Sequence, residues 1–192
     1  MRKISGNQLK RELGRFVKKR ANSFADKYSP FQKYMAGKTS TQRKSIIKNV
    51  DEMYKTKPDA AIGLTIYGRL NELSGRLEHL IDKGEFVGLL IGGLGILKST
   101  SSYDKILPFV RGEYRREALI ALANINPKRT IPLIREFVES SSDTEAVITL
   151  KTIFDDLIKN QDYASAERLR SVLNEIRRNI GTVVYNSAKE IN

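Results

Sequence analysis

The chain has 192 residues, with 34 Lys and Arg against 22 Asp and Glu, a net charge of +12 and no cysteine. That length admits one sizeable core, or a core with an arm. The missing cysteines exclude disulfides, a thiolate nucleophile and zinc fingers, and fit a reducing, cytoplasmic interior.

The charge is segregated along the chain. Residues 1–57 hold sixteen Lys and Arg against four acidic residues, whereas residues 58–192 hold eighteen of each. A polyanionic partner for the N-terminal third is the reading that follows. The first residues, MRKISGNQLK, lack an apolar core segment and predict no signal peptide. The longest apolar run, Phe86–Leu97, is about twelve residues, against about twenty for a membrane span.

Helical periodicity dominates, and the expected fold class is all-α: a basic N-terminal helical segment, 1–57, followed by a short helical-repeat domain, 58–192. A first helix is predicted from about Asn7 to Asp26, with Ser5 and Gln8 in capping-box spacing. Leu9, Leu13, Phe16, Val17, Phe24 and Tyr28 line one face, while Lys10, Arg11, Arg15, Lys18, Lys19 and Arg20 fall largely elsewhere. Ser29-Pro30 predicts a stop and a restart. A short helix with Phe31, Tyr34 and Met35 then ends at Gly37, and Lys27 and Lys33 stand beside Tyr28 and Tyr34. Thr39 with Gln42 predicts the next cap, followed by apolar Ile46, Ile47, Val50, Met53 and Tyr54, with Arg43, Lys44 and Lys48 pointing away from them. Lys57-Pro58 marks the domain boundary.

Residues 59–82 read as one longer helix. Ile62, Ile66, Leu70, Leu73, Leu77 and Leu80 form a heptad-like seam of about two and a half repeats. That seam suits a neighbouring helix of the same chain or, as the sharper alternative, a homodimer. From Lys83 onward the chain repeats. Leu90, Ile91, Leu94 and Gly95, followed by Tyr103, Ile106, Phe109 and Val110, align at a shift of 28 residues on Ala118, Leu119, Leu122 and Ala123, followed by Ile131, Ile134, Phe137 and Val138. A looser third copy starts at Ala146, Val147 and Leu150 and continues through Tyr163, Ala166 and Leu169. Helix pairs that complete one another's cores form an α-solenoid, with the 59–82 helix as its cap.

The stretch Arg116-Glu117-Ala118-x-x-Ala121-Leu122-Ala123-x-Ile125-x-Pro127-x-x-x-Ile131-Pro132-x-Ile134 resembles a HEAT-like repeat of the phycobilin-lyase type. The likeness covers about residues 85–175. The first copy has glycines where that family uses alanines, and the third has a longer turn. The resemblance implies a curved helical stack that docks a protein partner, and it implies no activity.

Catalytic signals are few. The single histidine, His79, has no second ligand for a metal. Gly92-Gly93-Leu94-Gly95 lacks the Lys-Ser/Thr ending of a phosphate loop and sits in an apolar helical run, so close helix packing explains it better. Asp155 and Asp156 are adjacent, and helical neighbours diverge too far to chelate one ion. No Ser-His-Asp set can be assembled. The expectation is therefore a non-enzyme without cofactor or metal.

The basic third instead points to nucleic acid. Lys10, Arg11, Arg15, Lys18, Lys19, Arg20, Lys27, Lys33, Arg43, Lys44 and Lys48 are the expected phosphate contacts. Tyr28 and Tyr34 are the candidates for base stacking, structured RNA or a ribonucleoprotein being favoured over DNA. The alternatives are a docking adaptor whose basic arm meets an acidic protein surface, peripheral attachment to an anionic membrane through the first helix, and nucleic-acid packaging in a virion or mobile element.

Overall fold

The computed structural model describes residues 24–140 and 143–176. All regular structure among them is helical, and the fold class is all-α. None of the described helices is long and apolar enough to cross a membrane. The predicted helix from Asn7 and its Ser5/Gln8 cap lie outside the described residues for all but their last few positions.

The chain divides into two compact units, Met1–Lys83 and Gly84–Asn192. The structural boundary thus falls about 25 residues beyond the charge boundary at Pro58. Charge stops at the proline, but the helices that follow it complete the core of the first unit.

In that unit, α1 spans Phe24–Ala36 and runs through Pro30 without a break, contrary to the expected stop. Tertiary packing overrides the local signal. Tyr28 and Phe31, at 1% and 0% exposure, flank the proline and are both anchored in the core. A side chain on Gly63 would collide with the Tyr28 ring, and one on Gly68 would stand 2.6 Å from the Phe31 ring. These two glycines of α3, Pro58–Gly68, are the hollows that seat α1. The second helix, α2, spans Ser40–Met53. Thr39 caps it as predicted: its hydroxyl accepts from the Gln42 N–H at 3.3 Å, and the Thr39 N–H donates to Gln42 Oε1 at 3.0 Å. Ile46 and Val50 of α2 join Tyr28, Phe31, Met35, Leu64 and Leu70 in one core.

The expected long helix over 59–82 is two helices. α3 ends at Gly68, and Arg69 turns left-handed at φ 50. A 3₁₀ turn, Asn71–Leu73, leads into α4, Ser74–Asp82. All six residues of the heptad-like seam are nevertheless buried, which leaves that stripe unavailable to a second chain.

The second unit begins with α5, Val87–Leu97. A short helix, α6 (Tyr103–Ile106), is flanked by 3₁₀ turns at Thr100–Ser102 and Leu107–Arg111. Then follow α7 (Arg115–Ile125), α8 (Pro127–Ser140), α9 (Asp143–Lys159) and α10 (Tyr163–Ile176). The helices α5, α7 and α9 start 28 residues apart, in the register of the sequence repeat. α7 packs against both α5 and α9, and α8 packs against α7 and α10. At the crossing of α5 and α7 a Cβ on Gly95 would come within 2.7 Å of the Ala121 Cα, so only glycine permits this approach. Leu119, Ile134, Phe137, Leu150, Ile153, Ala166 and Leu169 form the core. Tyr163, expected to continue the third copy's buried stripe, is 60% exposed; it opens α10 immediately after the turn at Gln161 and Asp162.

Candidate nucleic-acid interface

Helix α2 presents its basic face because its apolar positions face the other way. Ile46, Val50 and Met53 pack inward, so Lys44 and Lys48, one helical turn apart, stand exposed. Lys55, two residues past the end of the helix, is exposed as well. Lys33 is exposed on α1. Lys33, Lys44 and Lys48 form no ion pair with any described residue.

Three carboxylates stand near these lysines: Asp51, exposed Glu52 one helical turn beyond Lys48, and Glu72 across the groove. Asp51 lies three residues beyond Lys48, and Arg76 of α4 holds it in a two-pronged bond: Nε to Oδ1 at 2.6 Å and Nη2 to Oδ2 at 3.0 Å. The Arg76 hydrogen bond keeps the Asp51 carboxyl below the usual range, against the opposing effect of partial burial, and Asp51 raises the Arg76 guanidinium in turn. Arg76 supplies most of the counter-charge, and Lys55 adds a smaller pull in the same direction. Beside the pair lies an open groove of about 710 Å³, lined by Lys44, Lys48, Asp51, Glu72 and Arg76.

Three of the residues expected to make contacts have other tasks. Arg43 donates from Nη2 to the Arg69 carbonyl at 2.6 Å and sits 3.6 Å from Glu72. It fixes the turn that separates α3 from α4. Tyr28 is buried against the α3 glycines and stacks with Tyr67 at 6.4 Å, so no base reaches its ring. Burial and the Asp59 charge raise its hydroxyl pKa. Tyr34 is half-buried, stacked on Phe31 at 5.6 Å, with the Lys38 ammonium 3.8 Å from its ring centroid. A base would have to displace that ammonium. Lys10, Arg11, Arg15, Lys18, Lys19 and Arg20 lie outside the described residues, as does the side chain of Lys27.

The sequence reading missed Lys55. Its place in the same cation-rich segment, just before Lys57-Pro58, was the signal that would have found it. It also missed Tyr54 as a polar anchor: its hydroxyl meets that of fully buried Thr65 at 2.8 Å, and burial pushes the phenol far up.

The other candidates for chemistry have structural surroundings. His79 is exposed on α4. Among the described residues no group of His, Cys, Asp or Glu is arranged to hold a metal ion. Gly92, Gly93 and Gly95 lie within α5, with no loop around them. Asp156 accepts from Asn124 Nδ2 at 2.8 Å, tying α9 to α7, while Asp155 is exposed.

No protein-family model, curated protein or solved structure matches this chain.

Proposed function

We propose that this is a non-enzymatic nucleic-acid-binding protein that grips the phosphate backbone with its N-terminal third. The observation that carries the reading is the exposed Lys44–Lys48 line on α2, without carboxylate partners among the described residues, in the part of the chain with sixteen cations and four acids. Ammonium groups in that state release counterions when they meet phosphates. Structured RNA is favoured over duplex DNA, because short helices with scattered lysines suit an irregular backbone better than a groove of fixed width. Residues Lys10 to Arg20 extend the contact. The second unit acts as a short HEAT-like stack that docks a protein; the 28-residue spacing of α5, α7 and α9 supports this.

The test keeps the full chain, because a cut at Pro58 would remove α1 and α2 from the core that they share with α3. Electrophoretic retardation of RNA should weaken about tenfold in K44E/K48E, and the salt dependence should flatten by roughly two in log-log slope. Undiminished binding by that variant would remove the proposal.

The mixed-sign groove beside Asp51 and Arg76 favours one second reading, a docking adaptor for a protein surface. Fixed charges of both signs suit a polypeptide better than a pure polyanion. A shallow salt slope would select it.

A further inference from the structure

The second unit carries fifteen Lys and Arg against fourteen acidic residues, yet its cations are not evenly partnered. Arg129 meets Asp104 at 2.6 Å, and Arg170 meets Glu167 at 3.2 Å. Arg115 is different. Its guanidinium lies 4.5 Å over the Phe137 ring, and its Nη2 donates to Ser140 Oγ at 2.5 Å. No described carboxylate pairs with it, and its Nε is shielded from solvent without a hydrogen-bond partner. A half-buried cation with an orphaned donor is costly unless a counter-charge arrives.

Its position adds to that cost. Arg115 and Arg116 are the first two residues of α7, the helix end whose dipole disfavours cations. Arg111 approaches from the preceding 3₁₀ turn, and its only described ion pair is a 4.0 Å contact with Glu136, with both side chains largely exposed. Such a pair contributes little. Arg111, Arg115, Glu136, Phe137 and Ser140 border one cleft of about 250 Å³, with Leu119 among its apolar lining. The contacts to Phe137 and Ser140 tie α7 to α8, but the orphaned Nε and the weak Arg111 pair do not help the fold. Together they suit an oxyanion that would accept from two guanidinium groups.

We infer that the cleft between α7 and α8 binds a phosphate group through Arg111 and Arg115. A tetrahedral phosphate offers acceptors in several directions, which suits guanidinium groups arriving from two separate elements. Phe137 holds the Arg115 plane in place, and Ser140 occupies one of its donors. Glu136 opposes the ligand by like charge and sets the affinity low. This site does not depend on the N-terminal third for its argument or its test.

The experiment is a titration of the full chain with inorganic phosphate, followed through the Arg115 Nε–H resonance and the backbone amides at the start of α7. Both should shift saturably. R115M, which retains an apolar stem over Phe137, should remove the saturable shift of the α7 amides. R111Q changes a largely exposed residue, and should weaken binding about threefold. E136Q should tighten binding by a similar factor. This gain cannot arise from a folding defect. A nucleoside monophosphate and an oligonucleotide without terminal phosphates then separate a monoester ligand from a backbone diester, according to which one moves the same resonance. An Arg115 signal indifferent to phosphate, or an E136Q variant that binds more weakly, would overturn the inference.

Discussion

Lysines on α2 and arginines in the second unit solve the same problem in opposite ways. Lys44 and Lys48 stand in solvent with no described acidic partner, while Arg129 lies over the Tyr103 ring at 4.2 Å and bonds Asp104. A hydrated ammonium on a flexible stem remains available to any phosphate, whereas the Arg129 guanidinium is held by its aromatic stack and its bond to Asp104. The charge count of a region therefore says less than the side chain that carries it. The glycines show a parallel contrast. Gly63 and Gly68 receive aromatic rings from α1, and Gly95 receives the backbone of α7. The first packing is a side chain seated in a hollow; the second is two helix axes brought together.

The largest effect should come from emptying those hollows. Tyr28→Ala should destabilise the first unit by about 3–5 kcal/mol, measured by denaturant unfolding, because it removes a fully buried ring. Gly95→Val should cost the second unit about 3 kcal/mol, since the obstructing atoms are Ala121 backbone and cannot swing aside. A loss below about 1 kcal/mol for either substitution would contradict the packing assigned to that site.

Reversal of Lys44 and Lys48 should cost about tenfold in RNA affinity, or about 1.4 kcal/mol, while reversal of exposed Lys128 and Lys151 should leave it nearly unchanged. The two variants carry the same net charge, so matched losses in a mobility-shift titration would show that only total charge matters. Tyr54→Phe should cost about 1 kcal/mol in thermal or chemical unfolding by leaving the buried Thr65 hydroxyl without its partner.

The smallest effect concerns Asp51. Its folded pKa is lowered by Arg76, so its contribution to stability is present above the unfolded value, about 3.9, and fades as pH falls through the lower folded value. The melting-temperature gap between the wild type and R76Q should therefore be small near neutrality and close below that range. A gap that widened in acid would reverse the assignment.

Local signals were legible where local geometry satisfies them. Thr39 and Gln42 close a capping box within one turn, and nothing distant is needed. The 28-residue register survived into the helix starts because each copy packs mainly on its neighbours. The proline at 30 misled, because its cost is local while Tyr28 and Phe31 are held from 35 and 37 residues away by glycines that the chain pattern does not pair with them. Arg69 was equally illegible: the left-handed turn there is fixed by a guanidinium from α2. Of the candidate site, Lys33, Lys44 and Lys48 were readable from charge and periodicity, whereas Arg43 and Tyr28 look the same in sequence and have different surroundings.

Composition and periodicity alone settled the helical class, the charge division at Pro58 and the Thr39 cap, since these rest on composition or on contacts within a few residues. Only the folded chain decided where the first unit ends, which aromatic rings are enclosed and which cations remain in solvent. Those outcomes depend on contacts between helices distant in sequence, and a side chain's neighbours, not its type, fix whether its charge is neutralised.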